Sequence, residues 1–432
     1  MLQSLHQIQG SFMSYAIITL LGKIPPPQKG QKAATYTLSK ELQKNFTLKK
    51  ENYTNMLPLL VDNFANEYSI VSIYTQEAKE VQKRVLAFEN LEFNIEKDGI
   101  FIADTKQNTL EASYPYFLEK YNEAIERYDE VIIDLSHGFR HLPILAIVSI
   151  FIQSIKDTSK IKHIFYAKEL QSFTSYEVID LIEYVDLAKL SFVLSAFEAN
   201  YTIGNNISFH NEHYEELVDN LSIISRHLLS NSLQQLIGKN TLLATTRKQI
   251  EQLLEHEKNF HSFEKSLKQI TNHLLFIETL EQKPYYQQLL ALAKLMKERD
   301  YLLNSITLLN EAVGLFCAEF LKSLDKSVKK HIESFEQRFD DKYKLASQSK
   351  HIIRLQKNFL QPYLFKDITL KALLLEKLRK QDTTQLVKLI EDVGALRNNL
   401  AHGNSADAVA NVKLTLHKHI TEFEKIINAN EK

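Results

Sequence analysis

The pattern of apolar and polar positions changes in character near residue 175. Before it, short apolar runs of strand length alternate with segments in which apolar residues recur every three or four positions. Strands are predicted at Tyr15 to Leu21, Lys32 to Leu38, Ser69 to Tyr74, Leu91 to Ile95, Glu130 to Leu135 and Lys162 to Lys168. Helices are predicted at Leu57 to Asn66, Glu77 to Phe88, Pro115 to Arg127 and Pro143 to Ile155. This alternation predicts an α/β domain built on a doubly wound parallel sheet.

From Tyr176 to the end, leucine and isoleucine recur at helical spacing, and there are few strand candidates. Two polar interruptions, Asn200 to His213 and Lys283-Pro284, break this pattern. We therefore predict an α/β domain over residues 13–175, a helical connecting domain over residues 176–299 and a helical C-terminal domain over residues 300–432. The expected fold class is α/β plus all-α.

The overall charge predicts no protein-wide attraction to nucleic acid, since the formal net charge is −1 over 432 residues. The charge is unevenly distributed, however. Between Lys322 and Lys380, 15 Lys and Arg residues stand against 7 Asp and Glu residues. Such a stretch is either a solvated basic helix face or a local groove for RNA, and composition leaves both interpretations open.

Cysteine usage and hydropathy indicate a cytoplasmic protein. The single cysteine, Cys317, excludes an internal disulfide bond, favours a reducing compartment and lies in an apolar run that indicates core packing. The first twelve residues lack the basic and then apolar build of a signal peptide. The longest apolar run, Pro143 to Ile152, is too short to span a bilayer, so we expect no membrane contact.

Two loops at the ends of predicted strands carry the residues best suited to a ligand. Ligands of an open parallel sheet bind beyond the C-terminal strand ends, where the strand order reverses. Gly22-Lys23 follows the first strand and offers a backbone turn and a cation. Ser136-His137-Gly138-Phe139-Arg140 follows the strongest strand and offers a hydroxyl, an imidazole, an aromatic ring and a guanidinium. The helix after Pro143 adds backbone N–H groups that favour phosphate. These loops are candidates for an anion site, although similar loops often serve only as turns.

Two other ligand classes are not favoured by the sequence. A dinucleotide cofactor would be indicated by a G-x-G-x-x-G pattern, which is absent. His137 and His141 have the spacing of a helical zinc pair, but Gly138 and Pro143 argue against a helix there. We therefore predict no metal site.

The hexapeptide from Arg397 to His402 is the candidate for chemistry. Its arginine, its polar Asn398 and its histidine could form a metal-free RNA-cutting site. Five residues at about 100° each place Arg397 and His402 about 140° apart around a helix axis. One helix cannot easily direct both at one phosphate, whereas two copies meeting at a two-fold axis could each lend an arginine and a histidine. The simpler alternative is an ordinary helix end with Gly403 as its stop.

A family resemblance connects these two motifs. Asp134-Leu135-Ser136-His137-Gly138-Phe139-Arg140 resembles the signature of the CRISPR-associated DxTHG proteins, with serine in place of threonine. That family joins an N-terminal CRISPR-associated Rossmann fold (CARF) domain to a C-terminal HEPN ribonuclease domain. The HEPN signature is an arginine, a polar residue, three further residues and a histidine, and the hexapeptide is similar to it. The motifs occur in the family's order, and the connecting region carries no matching motif.

The resemblance implies a signalling mechanism. Type III CRISPR complexes that sense foreign RNA make cyclic oligoadenylates, which bind across the two-fold axis of a CARF dimer and switch on RNA cutting by the HEPN dimer. By this resemblance the ring would contact Gly22, Lys23, Ser136, His137, Gly138, Phe139 and Arg140. A ring of four adenylates is expected rather than six, on family grounds. No other cofactor is implied, and the expected assembly is a homodimer or a larger oligomer.

The implied chemistry requires no metal, because RNA supplies its own nucleophile, the 2′-OH. His402 would move protons near neutral pH, Arg397 would hold phosphate oxygens through its bidentate fork, and Asn398 would orient either group. The expected products from single-stranded RNA are a 2′,3′-cyclic phosphate and a 5′-OH, with DNA resistant.

Other functions stay open at this point. One is a non-catalytic regulator that binds cyclic oligoadenylate, and another is a ring nuclease that degrades its activator in the CARF site. A DNA-binding transcription factor is not favoured, because the C-terminus shows no helix-turn-helix pattern with a basic recognition helix.

Overall fold

The computed structural model describes most of the chain and divides it into two compact units. The described residues are 14–28, 33–103, 113–138, 141–156, 160–204, 207–232, 236, 242–256, 262–338, 341–355, 364–403 and 407–430. The sheet unit comprises Met1–Val193 and Gly204–Val218, and the helical unit comprises Leu194–Ile203 and Asp219–Lys432. Helices α5 (Ile182–Asn200) and α6 (Glu212–Leu229) have residues in both units. None of the described helices is long and apolar enough to cross a membrane.

The sheet unit is built on eight strands within the described residues. They are β1 (Tyr15–Leu20), β2 (Ala34–Leu38), β3 (Asn52–Tyr53), β4 (Ser69–Tyr74), β5 (Ile100–Phe101), β6 (Glu130–Asp134), β7 (Ile161–Gln171) and β8 (Ser175–Asp180). Their order in the sheet is β3-β2-β8-β7-β6-β1-β4-β5. β1 pairs in parallel with β4 on one side and with β6 on the other. The strand order therefore reverses at β1, and a ligand crevice is expected beyond the C-terminal ends of β1 and β6.

Helices cover both faces of the sheet. They are α1 (Met56–Phe64), α2 (Gln76–Phe88), α3 (Tyr114–Arg127) and α4 (His141–Lys156), with a short 3-10 turn at Leu42–Lys44. Ile17 belongs to a buried cluster with residues of α1 and α2, whereas its neighbour Ile18 belongs to a second cluster with residues of α3 and α4. Successive side chains of a strand point to opposite faces, so β1 is buried on both sides. This explains why its sequence is largely apolar.

The α/β class with a Rossmann-like sheet is confirmed, but the sheet is mixed rather than wholly parallel. β8 runs antiparallel to β7, and β3 runs antiparallel to β2. β8 continues to Asp180, so the predicted boundary at residue 175 lies at the start of this strand. The Tyr176 ring stacks on Tyr36 with centroids 5.1 Å apart, which shows that this residue packs in the sheet and not in a helix.

The strand predicted at Leu91 to Ile95 is wrong. The segment forms a loop and a turn, in which Glu96 N–H donates to Asn94 Oδ1 at 3.0 Å. Leu91 and Phe93 pack partly buried against the first cluster, and Ile95 is buried in it. These apolar residues anchor a loop on the core. A segment with this role has the same apolar composition as a core strand, so hydropathy alone does not distinguish the two.

The helical unit is organised around one buried helix. Its elements are α7 (Leu242–His256), α8 (Glu264–Thr279), a 3-10 turn (Leu280–Gln282), α9 (Tyr285–Glu298), α10 (Leu302–Leu324), α11 (Lys326–Arg338), α12 (Lys342–Leu355), α13 (Ile368–Leu378), α14 (Thr384–Ala401) and α15 (Val409–Asn430). α10 is buried along most of its length, and α9, α12 and α14 pack against it. Cys317 lies within α10, and burial raises the pKa of its thiol to about 12, which agrees with a packing role.

Gly314 allows α10 and α12 to approach at backbone distance. A Cβ atom at this position would lie 2.7 Å from Ala346 Cβ and 2.9 Å from the Ala346 carbonyl oxygen. Both contacts involve the backbone or the first side-chain atom of α12, so a rotamer change cannot relieve them. The close packing of α12 against α10 therefore depends on this glycine.

We expect Gly314→Ala to lower the free energy of unfolding by about 1–3 kcal/mol, because the added methyl group overpacks a rigid helix contact. Gly394→Ala in α14 is the matched control, since its Cβ would meet nothing within 4 Å and alanine favours a helix by up to about 1 kcal/mol. Denaturant unfolding of the three proteins measures both effects. Equal stability of Gly314→Ala and the original protein would contradict the close-approach argument.

Candidate functional sites

The two loops singled out in the sequence meet at the edge of the sheet. One follows β1 and the other follows β6, and these strands are neighbours. A Cβ atom on Gly22 would lie 3.1 Å from His137 Cβ and 3.4 Å from the Gly138 nitrogen. The first loop therefore touches the second, and glycine at position 22 permits this contact. Phe139 and Arg140, the last two residues of the second loop, lie outside the described residues.

Gly138 has a backbone conformation that only glycine adopts readily. Its φ angle is +109°, and a Cβ atom would lie 3.1 Å from Leu20 Cβ. Side-chain sterics disfavour this region for every other residue type. The turn after β6 therefore requires glycine for two independent reasons.

Asp134 fixes the start of the second loop from inside the protein. Its buried carboxylate accepts a hydrogen bond from Thr19 Oγ1 at 2.7 Å and another from the Ser136 backbone N–H at 3.0 Å. Ser136 Oγ in turn accepts from the Ala167 N–H of β7 at 2.8 Å. These bonds connect β1, β6 and β7, and a buried acid without them would be costly.

His137 is held as a neutral imidazole. Its Nε2 atom accepts a hydrogen bond from the Met56 backbone N–H, at 3.2 Å, at the start of α1. Burial lowers the pKa of His137 below its ordinary value, and the nearby Asp134 carboxylate opposes that shift only partly. The imidazole is therefore a positioning element between β6 and α1 near neutral pH. It does not supply the positive charge that would attract an anion.

A buried amide pair supports the first loop from below. Asn55 caps α1 by accepting from the Leu57 N–H at 3.1 Å, and its amide donates to Gln82 Oε1 at 3.2 Å. Gln82 donates to the Gly22 carbonyl oxygen at 2.8 Å. Both amides are buried, and each satisfied group rigidifies the loop. Asn55 and Gln82 could not be predicted as supporting residues, because no local sequence pattern marks an amide that bonds to a distant loop.

Lys23 is engaged in an ion pair with Glu77, which lies in the first turn of α2. Both side chains are exposed, and an exposed pair contributes at most about 1 kcal/mol. The cation predicted for ligand contact is thus held next to the crevice by a weak interaction that an anionic ligand can replace.

Arg397 and Asn398 line a second site, a cavity of about 230 Å³ between α10, α12 and α14. Arg397 Nη1 donates to Asn398 Oδ1 at 3.2 Å, so the asparagine orients the guanidinium. The other described lining residues are Asn310, Glu311, Tyr343, Ser347, Lys350, His351, Arg354, Ile390 and Gly394. Cationic groups outnumber the single carboxylate, which favours an anion in this cavity.

His402 lies apart from that cavity at the end of α14. It is the C-terminal cap, its N–H donates to the Asn398 carbonyl oxygen at 3.0 Å, and its side chain is exposed. It is not among the described residues that line the cavity with Arg397. Gly403 follows with a φ of +67°, the usual left-handed stop of a helix. One copy of the chain therefore does not bring the arginine and the histidine to one cavity. No cluster of three metal-binding side chains occurs among the described residues.

The sheet and its covering helices define the N-terminal part as a Rossmann-like domain. Residues 6–169 match the family model described as "CRISPR system endoribonuclease Csx1, CARF domain". The chain thus begins with a CARF domain, as the resemblance implied. The match covers less than half of the chain, and it assigns this domain rather than the helical unit.

No curated protein matches the chain. Among solved structures, "Enterococcus italicus Csm6 bound to cyclic hexa-2'-fluoro-hexa-dAMP" aligns over 96% of this chain and 94% of that chain. The sequence identity is 11% and the TM-score is 0.36, a likeness too low to carry an argument about function.

Proposed function

We propose that the protein is a metal-independent endoribonuclease for single-stranded RNA, activated by a cyclic oligoadenylate in type III CRISPR antiviral defence. The observation that carries this proposal is the Arg397–Asn398 pair on a cationic cavity, in a chain that begins with a CARF domain. The hexapeptide supports the proposed reaction type, and the domain supports the proposed class of activator.

The crevice beyond β1 and β6 is the proposed activator site. Its two loops approach each other closely at Gly22 and Gly138, where a Cβ atom on Gly22 would lie 3.4 Å from the Gly138 nitrogen. α1 and α2 both begin at this edge of the sheet, after Asn55 and Thr75, and helix N-termini favour phosphate. Lys23 can exchange Glu77 for a phosphate of the ring. A cyclic tetra-adenylate is the proposed activator, with Ser136, Phe139 and Arg140 as further contacts.

A second copy of the chain completes both sites in this proposal. On α4, Ile144, Val148 and Ile152 form one stripe and are 64%, 48% and 51% exposed. An exposed apolar stripe of this kind is typical of an interface, and a second α4 is its proposed partner. The separation of His402 from the Arg397 cavity supports the same conclusion, because two copies are then needed to surround one phosphate.

The proposed reaction is transesterification within the RNA. His402 removes the proton from the 2′-OH or returns one to the leaving 5′-oxygen, and Arg397 stabilises the charge that builds on the phosphate. The bond from phosphorus to the 5′-oxygen breaks as the bond to the 2′-oxygen forms. The products are a 2′,3′-cyclic phosphate and a 5′-OH.

The proposal is tested by incubating the protein with a fluorescent single-stranded RNA in a buffer that contains a metal chelator. Cyclic tri-, tetra- or hexa-adenylate is added in turn, and RNA cleavage is measured. We expect cyclic tetra-adenylate alone to activate cleavage. The RNA products should carry 2′,3′-cyclic phosphate ends, and a DNA of the same sequence should not be cut. Ring binding without cleavage of RNA would overturn the nuclease and leave the non-catalytic regulator. Linear adenylate in the same reaction would instead identify a ring nuclease.

A further inference from the structure

Part of the positive charge of the basic stretch 322–380 is neutralised by neighbouring carboxylates. Within that stretch, Lys322 pairs with Glu336 at 2.8 Å, Lys344 with Asp341 at 3.1 Å and Lys380 with Glu376 at 2.7 Å. These pairs describe an ordinary solvated helix surface. These ion pairs offset only part of the excess of positive charge in this stretch.

Lys350 and Arg354 differ from these residues. Both extend from α12 into the cavity that Arg397 lines, and Glu311 is the one acid among its described lining residues. Lys350 Nζ donates to the Asn310 carbonyl oxygen at 3.2 Å, and no ion pair to a described carboxylate is formed. Burial lowers the pKa of Lys350, Glu311 raises it, and the charge of Arg397 lowers it further. Cations brought together in this way repel one another until an anion lies between them.

Tyr343 extends the same surface at the other end of α12. Its side chain is 67% exposed, and it lines both the Arg397 cavity and an adjoining cavity of about 550 Å³. Tyr343, Ser347, Lys350 and Arg354 recur at helical spacing on one face, over about 16 Å of helix. An exposed ring followed by cations along one groove is the arrangement with which proteins bind single-stranded nucleic acid.

We propose that this face of α12 is the RNA-binding track, in which Lys350 and Arg354 bind phosphates beside the one held by Arg397 and Tyr343 stacks on a base. The inference rests on the proposed nuclease function and names the residues that hold its substrate. His351 also lines this cavity, and in this proposal it contacts a ribose or phosphate oxygen. The cutting position is then set by the register between Tyr343 and Arg397.

The test measures binding rather than cleavage, so that it is independent of the nuclease proposal. The full-length protein with His402→Ala binds a short fluorescein-labelled single-stranded RNA, and anisotropy is recorded at several salt concentrations, with and without cyclic tetra-adenylate. Arg354→Gln and Lys350→Gln should each weaken binding and lower the slope of log affinity against log salt by about 0.7, the value for one lost phosphate contact on a single strand. Lys330→Gln, an exposed cation on α11, is the matched control and should leave the slope unchanged.

The aromatic contact is tested in the same assay. Tyr343→Leu should weaken binding about tenfold, whereas Tyr343→Phe, which keeps the ring, should bind as the parent does. Melting temperatures of all variants exclude loss of folding as the cause. An unchanged affinity and slope in Arg354→Gln would overturn the inference even if the parent enzyme cuts RNA. If the variants lower the slope of log affinity against log salt but the parent protein cuts no RNA, the RNA-binding track is supported and the nuclease proposal is wrong.

Discussion

Replacing His402 with alanine should slow activated RNA cleavage by about 100- to 10,000-fold, the range that a positioned general acid or base contributes. The side chain is exposed at the end of α14, so its removal leaves no buried cavity and the melting temperature should not change. Its backbone N–H bond to Asn398 also survives the substitution, because alanine keeps the N–H group. Loss of rate would then report chemistry rather than folding.

The matched control is His417→Ala, which removes an exposed histidine from α15. It should retain the original rate, ring dependence and cleavage pattern. Initial rates of cleavage of a labelled RNA, at saturating cyclic tetra-adenylate, compare the three proteins. A His402→Ala rate within threefold of the original would remove the histidine from the mechanism. Arg397 and the α12 cations would then have to act without it.

Gly138→Val should weaken the binding of cyclic oligoadenylate by about 10- to 100-fold. A valine at a φ of +109° carries strain of the order of 1–3 kcal/mol, and its Cβ would lie 3.1 Å from Leu20 Cβ. The turn would relieve both by shifting away from β1, which separates the two loops that form the crevice. RNA cleavage at a fixed ring concentration should fall with the loss of binding.

Gly204→Val is the control for this variant, because its Cβ would make only an ordinary contact of 3.5 Å with Ile207 Cδ1 and its φ is not positive. Calorimetric titration with cyclic tetra-adenylate gives the two affinities, and thermal unfolding shows whether each variant is folded. If Gly138→Val binds the ring as tightly as Gly204→Val does, the crevice beyond β1 and β6 is not the activator site.

The sheet was largely predictable from hydropathy, and the failures have physical reasons. β1, β4 and β6 are buried along most of their length, so their sequences are largely apolar and are typical of core strands. β5 has two residues and carries no such signal. Leu91 to Ile95 has the hydropathy of a strand, yet its apolar residues serve to anchor a loop. β8 is half-exposed along its length, which weakened the same signal at Tyr176.

The candidate sites were predictable only where one short segment carries them. The loop from Ser136 to Gly138 and the pair Arg397–Asn398 are local, and the sequence pointed to them directly. Asn55 and Gln82 support Gly22 from 33 and 60 positions along the chain, and no periodicity encodes that distance. Lys350 is one of 15 Lys and Arg residues between residues 322 and 380, and Tyr343 is one of 19 tyrosines in the chain. Only the packing of α12 near α10 and α14 shows that both residues line one cavity.

The segment from Asp134 to Gly138 has a consequence for how such a motif is used in classification. Each position has a structural role of its own. Asp134 accepts two hydrogen bonds, Leu135 is buried in the core, and the Ser136 hydroxyl accepts from β7. The His137 imidazole accepts from the start of α1, and Gly138 has a positive φ. Serine can replace threonine because only the hydroxyl is used. The motif therefore indicates the structure of the turn and does not by itself indicate a bound ligand. A related protein that no longer bound a ligand here would keep these residues for stability alone. A search for the motif therefore identifies proteins with this turn, whether or not they bind a ligand.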